Sequence, residues 1–315
     1  MEAVAKLLAH LRQETGKVIV GQEEFRDQCL MALLCRGHAL LEGVPGVAKT
    51  LVVKTLSRIV EMSFQRVQCT SDLMPADIIG TNVLNMATSQ FNLHQGPVFT
   101  DLLLVDEINR MPPRTQAALL ECMEEHQVTI DGARYQLSPN FTVFATQNPV
   151  EFEGTYPLPE AQLDRFLIKV RVGYPTAEDE IQLLANVQNG FDARELDSAG
   201  LVAIAPELFA QAQQEISAVK VEQALFAYIT QVSRRTRDWP SLSLGASPRA
   251  AISLMAVAKA VAAMDGRDYL IPDDVKTAAL PVLRHRIVLK PEADLEGITA
   301  DQVIADVLRA VEVPK

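Results

Sequence analysis

A glycine-rich octapeptide at residues 43–50, GVPGVAKT, constrains this chain more than any other segment. It stands between a short apolar run and a helix-like stretch, and it follows the general phosphate-loop pattern GxxxxGK[ST]. In that pattern the backbone N–H groups at a helix N-terminus surround the phosphates of a nucleotide. The segment therefore predicts a nucleotide site. Its predicted binding residues are Gly43, Val44, Pro45, Gly46, Val47, Ala48, Lys49, Thr50 and Leu51.

Two side chains of this loop have predicted chemical roles. Lys49 is expected to neutralise the β and γ phosphate oxygens, and the Thr50 hydroxyl is expected to ligate Mg²⁺. Ala48 departs from the general pattern, which has glycine there, so its methyl group must fit close to the phosphates. The alternative is an ordinary strand–turn–helix corner that carries a Lys-Thr pair by chance.

Two adjacent acids follow an apolar run at residues 102–105. A parallel sheet places its ligand at the carboxyl ends of its strands, so Asp106 and Glu107 are expected beside the phosphate loop. Asp106 would hold Mg²⁺, directly or through water, and Glu107 would polarise the attacking water. The alternative is a solvated acidic strand end, which the order and spacing of the two motifs disfavour.

Three further polar residues are predicted to contact the γ-phosphate, whose charge changes on hydrolysis. Asn148 ends the next apolar strand, Arg165 precedes another strand, and Arg249 lies in the first turn of a helix. A cation there opposes the helix dipole, which an anion at that place would explain. The alternatives are a turn-forming role for Asn148, a structural pair of Arg165 with Asp164, and a solvated Arg249.

The first half of the chain alternates strand-like and helix-like segments. Apolar runs of four or five residues, with helical stretches between them, indicate a parallel sheet covered by helices on both faces. A hairpin is predicted at about residues 127–137 around Asp131-Gly132, a preferred two-residue turn, and a looser one at about 81–93. Alone, both hairpins could be plain extensions of the sheet. The apolar runs are 38–42, 102–105, 141–145 and 166–170.

Strand signals fade after Pro175, and helical spacing follows. Ser247 before Pro248 predicts a helix N-terminus, and Thr299 with Gln302 predicts a capping box for a last helix. The sequence therefore predicts two domains. Residues 1–175 would form an α/β nucleotide-binding domain with both hairpins, and residues 176–315 a small all-α lid with the C-terminal helix.

Composition excludes several classes of protein. Forty acidic against 29 basic residues give a net charge of −11, so general attraction to nucleic acid or an anionic membrane is not expected. No stretch approaches the roughly 20 apolar residues of a membrane span, and the N-terminus lacks the order of a signal peptide. The 4 cysteines form no CxxC pair and match no zinc spacing. We interpret them as buried small hydrophobes in a reducing compartment, and we expect a cytoplasmic location.

Taken together, these motifs resemble the MoxR family of AAA+ ATPases. The resemblance covers about residues 20–250, and the family's phosphate loop includes the alanine. The combination is far more specific than a phosphate loop alone. The matching segments are GVPGVAKT at 43–50, GPVF at 96–99, DEINR at 106–110, QVTIDG at 127–132, ATQNP at 145–149, EFEGTYPLPEAQLDRF at 151–166 and GASPRA at 245–250.

The resemblance implies a fold and further site roles. The fold is a parallel sheet of order 5-1-4-3-2 with a helical lid. Asn148 matches sensor 1, Arg249 matches sensor 2, and Arg165 matches the arginine finger that acts on the nucleotide of the neighbouring subunit. Val20 and Gly21 match the segment that lines the adenine pocket. The two hairpins match the helix-2 insert and the pre-sensor-1 hairpin, which face the central channel or the client.

The resemblance also implies a function. Family members are Mg²⁺-dependent ATP hydrolases that assemble as homo-oligomeric rings, commonly hexamers. They remodel, mature or activate a protein client in a chaperone-like manner, often with a von Willebrand factor A domain partner. Such a partner is expected here to be a separate polypeptide.

Two other functions stay open from the residues. A scaffold that ATP organises with little hydrolysis is the first, and Ala48 favours it, whereas Glu107 would be superfluous there. A DNA-directed motor is the second. The net charge and the single cation at the hairpin tip, Arg134, disfavour it. The one tight basic cluster, at residues 234–237, is interpreted as a solvated or intersubunit face.

Overall fold

Five strands from the first half of the chain form one parallel sheet in the computed structural model, which describes residues 1–149, 154–193 and 195–314. Residues 151–153, where the matching segment 151–166 begins, lie outside the described residues. The strands are β1 (Ala39–Gly43), β2 (Phe64–Gln68), β3 (Gly80–Asn85), β4 (Gln90–Gln95), β5 (Leu102–Asp106), β6 (Gln127–Ile130), β7 (Ala133–Gln136), β8 (Thr142–Gln147), β9 (Ile168–Val172), β10 (Leu242–Leu244) and β11 (Val288–Leu289).

The helices follow the strands in the first half and dominate the second. The described helices are α1 (Glu2–Thr15), α2 (Glu23–Leu34), α3 (Lys49–Ile59), α4 (Pro75–Ile79), α5 (Pro113–Glu125), α6 (Glu160–Leu163), α7 (Ala177–Gln188), α8 (Pro206–Ser217), α9 (Gln223–Arg235), α10 (Pro248–Met264), α11 (Pro272–Leu283), α12 (Pro291–Leu295) and α13 (Ala300–Ala310).

The large sheet has the order β2-β5-β8-β1-β9. Numbered as the five core strands alone, this is the predicted order 5-1-4-3-2, which is therefore confirmed. Because side chains alternate along a strand, Leu102 and Leu104 join the core beneath α1, α2 and α3. Leu103 and Val105 point to the other face and join a second core beneath α5. The prediction of helices on both faces is confirmed.

The strand β2 has no counterpart among the four predicted apolar runs. It lies at the edge of the sheet and pairs only with β5, and within it only Val67 is buried. An edge strand with a solvated face does not need a continuous apolar run, so its sequence FQRVQ carries little strand signal.

The two hairpins are separate from the large sheet. Among the strands that the structure describes, β3 and β4 pair with each other and β6 and β7 with each other, so their interpretation as plain extensions of the sheet is wrong. Asp131 and Gly132 both have positive φ, 49° and 81°, as the two-residue turn requires. The side-chain amide of Asn82 donates to Asp131 Oδ2 at 2.8 Å, which joins the two hairpins.

Both predicted helix starts in the second half are confirmed. Ser247 Oγ accepts from the Ala250 N–H, and Thr299 Oγ1 accepts from the Gln302 N–H, each at 3.3 Å. The lid is helical except for the antiparallel ribbon of β10 and β11, whose three and two residues are too short to show alternation. Of the helices that the structure describes, none is long and apolar enough to cross a membrane.

A buried arginine joins the lid to the end of the α/β domain. The Arg286 side chain is buried, and its Nε donates to Asp164 Oδ1 at 2.7 Å. Its two terminal nitrogens donate to the carbonyl oxygens of Leu167, Val282 and Phe166. A buried guanidinium is tolerated because all of these hydrogen bonds compensate for lost hydration.

We expect Arg286→Met to lower the free energy of unfolding by about 3–5 kcal/mol, because it removes the charged donor that Asp164 Oδ1 and several buried carbonyl groups share. Urea unfolding followed by the fluorescence of Trp239, the single tryptophan, reports on the lid directly. Arg309→Met is the matched control, since Arg309 is exposed and its ion pair in the described part of the chain is with Asp306 of its own helix. Equal unfolding midpoints for the two variants would contradict a structural role for Arg286.

Candidate functional site

The phosphate loop connects β1 to α3 through two residues with left-handed backbone. Gly46 has a φ of 87° and Ala48 a φ of 58°. Ala48 is the residue immediately before α3, and alanine adopts this conformation at a cost of about 1 kcal/mol relative to glycine. The departure from the general pattern is therefore accommodated by the backbone at a small energetic cost.

The side chain of Lys49 lies inside the loop. Its ammonium group donates to the carbonyl oxygen of Gly43 and, at 3.3 Å, to that of Val44. Burial lowers the pKa of Lys49, while the carboxylates of Asp106 and Glu107 act in the opposite direction. A partly desolvated cation at a helix N-terminus attracts phosphate oxygens strongly, because little water has to be removed.

Asp106 ends β5 and is buried beside the loop. Its Oδ2 lies 2.6 Å from Arg66 Nε and 3.5 Å from Thr50 Oγ1. Thr146 Oγ1 donates to its other oxygen at 3.2 Å. The carboxylate is thus held in one orientation from three sides.

Glu107 occupies a left-handed backbone conformation, with a φ of 59°. Such a conformation costs about 1 kcal/mol or more for a residue other than glycine and persists where the surroundings enforce it. Its N–H donates to Thr146 Oγ1 at 2.9 Å, which is part of that enforcement. The carboxylate is half-buried and contacts Arg110 Nε at 3.1 Å.

A single cleft of about 450 Å³ is lined by Lys49, Thr50, Asp106, Glu107 and Asn148. Asn148 is buried and directly follows β8, the neighbour of both β1 and β5. The carboxyl ends of these three parallel strands meet at one edge, which is why residues distant in sequence converge there.

The oxygen atoms in this cleft suit a magnesium ion. Thr50 Oγ1 and Asp106 Oδ2 lie 3.5 Å apart, and a hydroxyl with one carboxylate is a typical protein contribution to a magnesium–nucleotide site. No group of three or more His, Cys, Asp or Glu side chains that could hold a metal occurs among the described residues. That is compatible with Mg²⁺, because substrate phosphates and water supply its remaining ligands.

Arg66 is a residue of this cleft that the sequence did not suggest. It lies on β2 with Gln68, and Nη2 donates to Gln68 Oε1 at 3.2 Å. Its ion pair with Asp106 places a cation on the carboxylate that is predicted to hold Mg²⁺. One sequence signal could have suggested Arg66. Side chains alternate along a strand, so Arg66 and Gln68 point to the same side of β2, opposite the buried Val67.

A second cleft, of about 550 Å³, lies where the adenine pocket is predicted. Val20 and Gly21 line it on one side, and Gln182 and Asn186 of α7 line it on the other. Gly21 has a φ of 65°, and a Cβ there would lie 2.3 Å from the Asp179 carboxylate. The left-handed φ favours glycine at this position, and its missing Cβ leaves room for the Asp179 carboxylate of α7.

Arg165 and Arg249 lie together, outside the cleft of the phosphate loop. Arg165 Nη2 is 2.9 Å from one Glu124 oxygen, and Arg249 Nη2 is 2.6 Å from the other. The hydrogen bond from Arg249 is the largest factor that lowers the pKa of Glu124. Both arginines line a separate cleft of about 270 Å³. Within this chain they therefore lie apart from the cleft that Asn148 lines, and their predicted contacts with a γ-phosphate, in a neighbour for Arg165, stay a prediction.

The anion that accounts for Arg249 is a carboxylate of the same chain. Glu124 lies in the last turn of α5, where an acid opposes the helix dipole just as Arg249 does at the start of α10. This unfavourable position of an acid at a helix C-terminus is the sequence signal that could have suggested a cationic partner for Glu124. The alternative of an Arg165–Asp164 pair is wrong, whereas the alternative of a solvated Arg249 agrees with its side chain, which is 46% exposed although it pairs with Glu124. Asp164 instead binds Ser247 and Arg286.

Two family models and relatives of known name match this chain. The family model described as ATPase family associated with various cellular activities (AAA) matches residues 38–168, and the AAA lid domain model matches residues 234–307. The chain is 43% identical to the Chaperone MoxR1 of Mycobacterium tuberculosis, over 96% of this chain and 81% of that protein. It is 30% identical to the Protein MoxR of Methylorubrum extorquens, over 96% and 93% of the two chains.

A solved structure agrees over the whole length. A crystal structure of a candidate ATPase from Cytophaga hutchinsonii superposes with a TM-score of 0.90 at 41% identity, and covers 99% of this chain and 96% of that one. At this similarity, likeness of fold and family extends through both the sheet and the lid.

Proposed function

The chain belongs to the MoxR family of AAA+ ATPases, and from this premise we propose that it is a ring-forming, Mg²⁺-dependent ATP hydrolase that remodels, matures or activates a protein client. The observation that carries the proposal is the separation of the phosphate loop from Arg165 and Arg249. A subunit with these arginines on another face needs a neighbour to complete its site.

Each of the five named residues that line the cleft of the phosphate loop, which we call the main cleft, has a proposed role. Lys49 and the loop N–H groups hold the phosphates, and Thr50 with Asp106 would hold Mg²⁺, which supplies charge neutralisation at the β and γ phosphates. Glu107 orients and deprotonates the attacking water, for which its enforced backbone conformation is suited. The Asn148 amide orients that water or contacts the γ-phosphate.

The arginines act across the subunit boundary in this proposal. Arg165 and Arg249 exchange their bond to Glu124 for the γ-phosphate of the adjacent subunit. Until then Glu124 holds both side chains in place, which limits the loss of side-chain freedom on assembly. The roles implied by the family resemblance thus change in one respect: in this proposal Arg249 serves the neighbour's nucleotide, together with Arg165.

The hairpin β3–β4 is proposed to contact the client. Val83, Leu84, Met86 and Phe91 are exposed on it, and between Gly80 and Gln95 the sequence has no Lys, Arg, Asp or Glu. An exposed apolar surface of this kind is typical of protein-binding sites. The uncharged hairpin also disfavours a DNA-directed motor. Two members of the basic cluster have contacts inside the lid, Arg235 with Trp239 and Arg237 with the Ala246 carbonyl.

We propose a hexameric ring, a cytoplasmic location, which fits 4 free cysteines, and a separate von Willebrand factor A domain protein as partner. We place the boundary between the α/β domain and the lid at about residue 175.

The test is a joint measurement of native mass and steady-state ATP turnover over a range of protein concentrations, with and without ATP. Specific activity should rise as the ring assembles, because the composite site forms only there. Full activity in the monomer at every concentration would contradict the proposal. A ring without turnover would favour the ATP-organised scaffold, and salt-sensitive stimulation by DNA would favour the motor.

Arg66→Gln is expected to lower the Mg²⁺ concentration for half-maximal nucleotide binding by roughly threefold to tenfold, because Mg²⁺ no longer competes with a guanidinium for Asp106. A fluorescent ATP analogue titrated with Mg²⁺ measures this without any turnover. Arg58→Gln is the matched control, since Arg58 is equally exposed but pairs with Asp197 away from the cleft. An unchanged Mg²⁺ requirement in Arg66→Gln would contradict the competition.

A further inference from the structure

Helix α7 exposes a continuous apolar face. Ile181, Leu184 and Val187 are 67%, 72% and 62% exposed, and at spacings of three they lie along one side of the helix. The opposite side contacts the chain's own adenine-side cleft through Gln182 and Asn186. A contiguous exposed apolar patch of this kind is typical of a surface that binds another protein.

Two exposed acids flank this face at the start of the helix. Glu178 lies one turn before Ile181, and Glu180 lies one turn before Leu184. Both are exposed, whereas Asp179 caps the helix and lies against Gly21. The surface that α7 presents is therefore apolar along its length and negative at its N-terminal end. We call it the α7 face.

A groove with complementary properties lies between α2, α8 and α10. It has a volume of about 470 Å³, and Leu34, Cys35, Ile216, Ile252 and Met255 form its apolar surface. Two cations line it as well. Arg36 Nη2 donates to Gln213 Oε1 at 3.0 Å, and Lys259 Nζ donates to the Ser217 carbonyl at 2.9 Å. We call it the α10 groove.

The two surfaces lie beside the two halves of the proposed composite site. The α7 face adjoins the nucleotide side of a subunit, because α7 lines the adenine-side cleft. The α10 groove adjoins the arginine side, because Cys35 and Arg36 line both this groove and the cleft of Arg165 and Arg249. An arrangement in which the cleft of Arg165 and Arg249 of one subunit faces the nucleotide of the next would bring the α10 groove and the α7 face to the same boundary.

We propose that the α7 face of one subunit docks into the α10 groove of its neighbour, with Glu178 and Glu180 near Arg36 and Lys259. The inference rests on the proposed ring, and it names the contact that holds the ring together beside the nucleotide. A second copy of the chain is the chosen occupant because apolar surface and opposite charge match on both partners. It also links assembly to nucleotide, because α7 touches Gly21 of the adenine side.

A photo-crosslinking experiment tests the contact directly. Leu184→p-benzoylphenylalanine is made in subunits of natural isotope content, mixed with ¹⁵N-labelled unmodified subunits, assembled with ATP and irradiated. Native mass is recorded on the same sample. We expect crosslinked peptides of mixed isotope content that join position 184 to residues 34–36 or 252–259. Leu295→p-benzoylphenylalanine, at an exposed apolar residue of α12 outside the groove, should give none of these crosslinks.

The outcomes separate the contact from the ring. Rings whose position-184 crosslinks fall within one subunit, or outside the groove, overturn the proposed contact and leave the ring standing. Crosslinks to an added unfolded polypeptide in place of the neighbour overturn it too, and would assign the α7 face to the client. Absence of any assembly at all concentrations, with and without ATP, overturns the ring and the contact together.

Charge reversal gives a second, independent test. The pair Glu178→Lys and Glu180→Lys should raise the protein concentration for half-maximal assembly about tenfold, since two attractive pairs become repulsive. The groove pair Arg36→Glu and Lys259→Glu should do the same. Combining all four should restore most of the assembly, which general misfolding would not. Four reversals that assemble no better than either pair would contradict the proposed match.

Discussion

Arg165→Ala is expected to bind ATP with nearly unchanged affinity and to hydrolyse it roughly 10³-fold more slowly, because an arginine finger acts mainly on the transition state. In this subunit Arg165 pairs with Glu124 and not with any residue of its own phosphate loop. Its loss should therefore leave the binding cleft intact. Equilibrium binding of a fluorescent ATP analogue and steady-state turnover, measured at a concentration where the ring is assembled, separate the two effects.

Mixing variants tests whether the arginine acts in the neighbour. Arg165→Ala subunits keep an intact Glu107, and Glu107→Gln subunits keep an intact Arg165. In an equimolar mixture of two inactive variants, about a quarter of the interfaces would combine both intact residues, if subunits assemble at random. Turnover should then reappear. A mixture as inactive as its components would assign Arg165 to its own subunit. Arg171→Ala is the matched control for Arg165→Ala, because Arg171 lies outside the cleft of Arg165 and Arg249, and it should hydrolyse ATP at the normal rate.

Glu107→Gln is expected to reduce turnover by about 10²–10⁴-fold while it preserves ATP binding, because the amide cannot accept the proton of the attacking water. The substitution keeps the size of the side chain, so the left-handed backbone at this position and its bond to Thr146 should persist. Turnover and nucleotide binding are measured on the same preparation. The ring should still assemble with ATP, since binding is retained.

Glu125→Gln is the matched control for this substitution, because Glu125 is an exposed acid at the end of α5 and lines none of the described clefts that we assign to nucleotide. It should hydrolyse ATP at the normal rate. Turnover in Glu107→Gln close to that of the unaltered protein would remove Glu107 from the chemistry. Loss of ATP binding together with turnover would instead assign Glu107 a structural role in the cleft.

Much of the main cleft could be anticipated because its determinants are local. Lys49 and Thr50 follow from a glycine-rich turn that opens a helix, and Asp106 and Asn148 follow strands whose apolar runs are continuous. Parallel strands bring such ends together whatever the rest of the chain does. Arg66 was missed for the opposite reason, because β2 is an edge strand with one buried residue and little apolar signal.

The sequence by itself therefore determined the phosphate loop, the acids at the strand end, the helix caps and, through its family resemblance, the order of the sheet. These depend on backbone conformation and on hydrophobic periodicity, which act over a few residues. Only the tertiary structure decided where Arg165 and Arg249 lie. Arg249 meets Glu124 across 125 residues of chain, and that contact depends on how α10 packs against the α/β domain. The same packing creates the α10 groove, which no local pattern encodes.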